Sequence, residues 1–134
     1  MSNTMSERLN TPISTAELER RWKAVRAAMA AAKIDVLLMQ NNNDHMGGYV
    51  RWFTDMPATN GYPNTVVFPR DDEMTVVCQG PFGGGETTAQ GDLTWRGVKK
   101  ILTTPSYASA HYTKDYDPEL AASALKPYAN ATIG

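Results

Sequence analysis

The sequence predicts an α/β fold of three layers, α/β/α, with a mixed β-sheet of about five strands. Three observations predict it. A helical pattern of apolar residues runs almost without a linker into the apolar run Ile34-Asp35-Val36-Leu37-Leu38-Met39. Two β-branched runs, Thr65-Val66-Val67-Phe68 and Met74-Thr75-Val76-Val77-Cys78, flank a polar turn. A second helical pattern opens at Asp117-Pro118, and a new apolar start, Thr132-Ile133-Gly134, follows it.

Each element has its own justification. Residues 1–13 lack periodicity and read as a loose amino-terminal arm; the domain proper is expected over residues 14–134. Ser14 and Glu17 have the spacing of a capping box, which marks a helix start. Leu18, Trp22, Val25, Met29 and Ala32 then recur three and four apart, the period of an amphipathic helix. Glu17 with Arg21 and Glu19 with Lys23 are favourable four-apart pairs on its wet side. The run Ile34–Met39 is almost continuously apolar, so it reads as a central strand buried on both faces. Asp44 is placed to cap a short helix from His45 to Phe53, and Pro57, Gly61 and Pro63 break the chain into a loop after it. The two β-branched runs form a hairpin around Pro69-Arg70-Asp71-Asp72-Glu73. Residues 80–91 are glycine-rich and read as loop, Val98–Leu102 as another strand, and residues 105–116 as a long polar loop. Asp117 caps a helix with Pro118 in its first turn and Leu120, Ala121, Ala124 and Leu125 on its apolar side. Pro127 ends it.

At 134 residues the chain fits one domain, and a chain of that size buries roughly two-thirds of its unfolded surface without staples. Hydrophobic residues make up 42% and charged residues 20%, with a formal net charge of −1, so nothing electrostatic points to nucleic acid or an anionic membrane. A single cysteine, Cys78, excludes an internal disulfide. There is no secretory h-region in the first residues and no apolar run long enough to span a bilayer. The expected location is the cytoplasm.

Residues able to carry chemistry are few. Gly80-Pro81-Phe82-Gly83-Gly84-Gly85 follows a strand, but it lacks the Lys-Ser/Thr of a phosphate loop and the spacing of a dinucleotide fingerprint. It reads as a surface loop. His45 and His111 are the only histidines and have no paired metal-ligand spacing, so no metal site is expected. Asp44 beside His45 allows an Asp–His unit, with a capping Asp next to a half-exposed His as the plainer interpretation. Cys78 reads as an inert core thiol, and Asp71, Asp72 and Glu73 as wet turn residues. Tyr49, Arg51, Trp52 and Phe53, followed by Asn60 and Tyr62, form the densest cluster. Tyr49 and Phe53, four apart, are assigned to packing. Arg51, Trp52, Asn60, Tyr62 and His45 are the candidates for a substrate entrance or an interface; no catalytic residue is assigned.

The ordered set of segments resembles the N-terminal domain of the creatinase, prolidase and Xaa-Pro aminopeptidase family. The charged helix around Arg20-Arg21-Trp22-Lys23-Ala24-Val25 comes first, then the strand Lys33-Ile34-Asp35-Val36-Leu37-Leu38-Met39. Asn43 with Tyr49-Val50-Arg51-Trp52-Phe53 stands at a N…Y-L-T-G-F segment, and Val66–Val77 matches a hairpin carrying Pro-x-Asp in its turn. Arg51-Trp52 replaces the Thr-Gly of that segment. The last helix and Thr132-Ile133-Gly134 resemble the end of that domain, which makes the chain a piece of a longer protein. The resemblance implies a ribonuclease-H-like fold and a parent hydrolase, either a metal-dependent aminopeptidase or dipeptidase or a metal-free creatinase-like enzyme. A dinuclear divalent metal site would then lie in a C-terminal pita-bread domain, with no cofactor in this piece. The implied partners are that catalytic domain and a second copy in a homodimer. This domain would build the dimer and shape the active-site entrance. The competing reading is a stand-alone α/β module that binds a small ligand or a protein, and a third is an enzyme using Asp44 and His45.

Overall fold

A computed structural model describes residues 12–41, 48–56, 63–80, 84–88, 93–105 and 116–134. In chain order these hold helix α1 (Thr15–Ala32), strand β1 (Val36–Gln40), helix α2 (Gly48–Thr54), strands β2 (Thr65–Pro69), β3 (Met74–Gln79), β4 (Gly85–Thr87) and β5 (Val98–Thr104), and helix α3 (Tyr116–Leu125). The fold is α/β, with a mixed five-stranded sheet in the order β1-β2-β3-β5-β4. β1 pairs antiparallel with β2 and β2 antiparallel with β3, β5 lies parallel to β3, and β4 returns antiparallel along β5.

Strand alternation assigns the two faces. Leu37 lies opposite Phe68, Met39 opposite Val66, Val66 opposite Val76 and Val76 opposite Ile101, so these side chains share one face. Leu18, Trp22 and Met29 of α1 and Val50 and Phe53 of α2 complete the same cluster. The other face carries Val36, Val67, Val77 and Leu102, all buried, and α3 packs over β2, β3 and β5 with Ala121 turned inward. A hairpin buried from both sides explains why every residue of β2 is buried.

α1 starts where the capping box places it: the Ser14 hydroxyl accepts the Glu17 N–H at 3.2 Å. It stops because Lys33 turns left-handed (φ 57°) and sends its N–H back to the last turn. Ala32, expected on the apolar side, is exposed at that end.

Several expectations need correction. β1 is not central. It sits at one end of the sheet and Leu38 is 41% exposed, while α3 packs chiefly on β2, β3 and β5. Asp35 lies before β1 rather than inside it. The glycine-rich stretch is not all loop: Gly85–Thr87 forms β4 on the edge of β5, an element too short to show alternation. α3 begins at Tyr116, so Asp117 is in its first turn instead of capping it. Among the described residues no helix is long and apolar enough to cross a membrane.

Residues 131–134 join the sheet. Ile133 forms a parallel bridge to Val36, the Gly134 N–H donates to Val36 O at 2.9 Å, and the Leu38 N–H donates to Gly134 O at 3.0 Å. The terminal apolar start therefore pairs along the outer edge of β1.

Candidate functional site

α2 carries the described part of the candidate cluster, and its carbonyl end is held in part by α1. A helix leaves its last four carbonyls without intrahelical donors. Here three of the four are met, the first by the Asp55 N–H, which donates to Arg51 O at 2.7 Å; one position earlier the Thr54 hydroxyl donates to Val50 O at 2.6 Å. Arg21 Nη1 reaches Trp52 O at 3.1 Å, and Trp22 Nε1 donates to Phe53 O at 2.8 Å. Two of these three carbonyls are therefore met by neighbouring side chains of α1.

Behind α2 lies a buried ion pair. Asp55 takes a left-handed conformation (φ 61°), which Asp tolerates better than most residues, and its carboxylate meets Arg96 at 3.0 Å. The two side chains are 5% and 9% exposed. The Ile13 N–H donates to the same carboxylate oxygen at 2.8 Å, while Arg96 Nη1 donates to Ile13 O at 2.6 Å and to the Thr15 hydroxyl at 3.2 Å. The chain entering α1, the end of α2 and the approach to β5 are thereby fastened at one point. Next to it Gly97 (φ 70°) lies under Trp22; a Cβ there would come within 2.6 Å of the ring.

The outward side of α2 is aromatic and basic. Tyr49 is 75% exposed, Trp52 is 40% exposed and Arg51 is exposed. Arg21 stacks over the Trp52 ring at 5.2 Å, and Trp52 meets Phe53 edge-on at 5.0 Å. Arg21 is itself held by Glu17 at 2.9 Å. Glu17 also takes Arg20 at 2.7 Å, and these two guanidinium groups, Arg20's first, lower its carboxyl pKa to about 2. Trp52 is thus a fixed aromatic shelf that can take a flat or cationic group on its free surface, with Arg51 beside it for a carboxylate.

The structure places Arg51 and Trp52 together on this surface. His45, Asn60 and Tyr62 lie outside the described residues, as do Asp44 and His111. Tyr49 does not pack, contrary to its assignment. Along Gly48–Thr54, Tyr49 and Trp52 are exposed while Val50, Phe53 and Thr54 are buried. Sequence reasoning missed Arg21 as the residue that fixes Trp52, and missed the Asp55–Arg96 pair. The four-apart Glu17–Arg21 spacing was the only signal of the first. The second joins residues forty-one apart that no local pattern links.

Other groups are quiet. Burial, with a smaller contribution from the charge of Asp117, pushes the Cys78 thiol up to about 11, which leaves it protonated and unreactive at neutral pH. Burial likewise raises the Asp117 carboxyl. Asp72 pairs with Lys99, which lowers the Asp72 pKa and raises that of Lys99. Among the described residues no group of three His, Cys, Asp or Glu could hold a metal ion. Two open clefts lie among the described residues. One, of about 730 Å³, lies between the β2–β3 turn and residues 126–131, with Asp35, Asp71, Lys126 and Tyr128 in its walls. The other, of about 390 Å³, lies between β4, the end of β5 and α3.

Compared with models of protein families and with curated proteins, the chain matches none.

Proposed function

We propose that this chain is the N-terminal, non-catalytic domain of a pita-bread hydrolase of the creatinase, prolidase and Xaa-Pro aminopeptidase type, with the ribonuclease-H-like fold of that family. Its roles are dimerisation and shaping of the active-site entrance. Catalysis, and any dinuclear metal, belongs to a C-terminal domain of the parent. The observation that carries the functional part is the outward stance of Arg51 and Trp52 on a helix whose inner side is buried and whose carbonyl end is held by two side chains of α1. A side chain that made only core contacts would not need Arg21 stacked behind it, whereas a presented binding surface gains from being held rigid before contact. The order of elements supports the fold assignment: charged helix, strand, short helix, hairpin, parallel strand, helix, and a last segment bridged to β1.

Exchanging Arg51-Trp52 for the Thr-Gly of the resembled segment in the parent tests the role. A changed KM with dimer and melting temperature intact supports the entrance. Loss of the dimer with unchanged turnover per dimer assigns the pair to the subunit contact. The stand-alone binding module is favoured by the 730 Å³ cleft, whose walls mix carboxylates, a lysine and a tyrosine. Saturable binding of a small ligand there by a complete 134-residue protein would support it.

A further inference from the structure

We propose that Asp35, braced by Arg70, is a positioning residue that latches residues 131–134 onto the free edge of β1. It thereby fixes the direction in which the polypeptide runs off the sheet toward the parent's catalytic domain. The inference rests on the two-domain reading for what is positioned; the latch itself lies wholly within this chain.

Asp35 uses all of its polar groups at this joint. Its N–H donates to Thr132 O at 2.9 Å, and its Oδ2 accepts the Thr132 N–H at 2.9 Å, so it holds both backbone polar groups of one residue. Its Oδ1 meets Arg70 Nη1 at 3.1 Å, and its carbonyl accepts the Arg70 N–H at 2.9 Å. Arg70 Nη1 also donates to Ile34 O at 3.3 Å, which holds the guanidinium against the strand start.

Beyond Asp35 the segment is held by backbone bonds to Val36 and Leu38 and by little apolar burial. Ile133 is 47% exposed, and residues 129–131 form a wall of the 730 Å³ cleft instead of packing onto the sheet. Gly134 sits close against the sheet: a Cβ there would come within 3.0–3.2 Å of the Ile34 and Leu37 side chains. Apolar burial is slight, so the directional hydrogen bonds must choose between the docked and released positions. A bond to a charged acceptor is the strongest of these. The parallel bonds at Val36, Leu38 and Gly134 can zip up once Thr132 is held at Asp35.

Amide hydrogen exchange measured residue by residue on the whole chain tests the latch. Asp35→Ala is expected to speed exchange at Val36, Leu38 and Gly134 by about ten- to a hundredfold, with the β2–β3 amides unchanged. Asp35→Asn keeps one acceptor for Thr132 but turns a donor toward Arg70, so it should fall between. Asp71→Asn removes the other carboxylate partner of Arg70, which does not touch residues 131–134, and should leave these amides as in the wild type. If Asp35→Ala fails to fold, Asp35→Asn and Arg70→Met decide on the same amides. Exchange within about twofold of wild type in the folded Asp35 variants overturns the latch, as does equal acceleration across β2 and β3. A missing downstream domain would instead overturn the two-domain reading and leave these rates as expected.

Discussion

Replacing Asp55 by alanine should be among the most damaging single changes available outside the hydrophobic core. The substitution strands Arg96, whose side chain is 9% exposed, without the carboxylate 3.0 Å away. Removing one partner of a buried pair costs about 3–5 kcal/mol, because the remaining charge stays desolvated. Alanine at φ 61° adds about 1 kcal/mol of backbone strain that Asp relieves in part. The sum, roughly 4–6 kcal/mol, compares with a total of about 5–15 kcal/mol for a domain of ordinary stability. Asp55→Asn keeps the left-handed tolerance and an acceptor for the Ile13 N–H, and should cost about half as much. Urea unfolding of Asp55→Ala, Arg96→Met and the double variant forms the assay. The double variant should be clearly more stable than the sum of the two losses, since no lone charge is left buried. Additive losses below about 1 kcal/mol each would refute the claim that this pair fastens the arm, α2 and β5 together.

Three further outcomes follow from other parts of the structure. Gly97→Ala should destabilise by about 2–4 kcal/mol in the same unfolding assay, since a methyl group at φ 70° both strains the backbone and strikes the Trp22 ring. Glu17 has a folded pKa near 2, below its ordinary value of 4.5, so its contribution is complete above about 4.5 and is lost as pH falls toward 2. Glu17→Gln should therefore flatten the fall of Tm across that window. Cys78, raised from 9.0 to about 11, should react with a thiol reagent at pH 8 at least about a hundredfold more slowly than a free cysteine until the protein is unfolded.

Much of the fold was legible because its signals are local. The Ser14–Glu17 capping box, the three-and-four spacing of Leu18, Trp22 and Met29, and the β-branched runs around Pro69–Glu73 each report on a few neighbouring residues. What failed depends on partners distant in sequence. Leu38 looks buried in any window, and its exposure goes with the position of β1 at one end of the sheet, while α3 packs chiefly on β2, β3 and β5. β4 has three residues and is defined by pairing with β5, so no periodicity could announce it. In the candidate site, Arg51 and Trp52 could be placed at a surface because an unpaired arginine is costly to bury. Tyr49 was misplaced because four-apart spacing puts two residues on the same side of a helix without saying whether a neighbouring element covers both, and only Phe53 is covered.

The central claim is that this domain serves a catalytic partner in the same polypeptide, and reading the coding frame beyond Gly134 tests it most directly. The account predicts about 220–270 further residues forming a second domain. Asp, Asp, His, Glu and Glu in the order of the resembled family would mark a metallopeptidase, and a pita-bread domain without that set would mark the metal-free, creatinase-like form. A stop codon directly after Gly134, or a following domain of unrelated pattern, would contradict it.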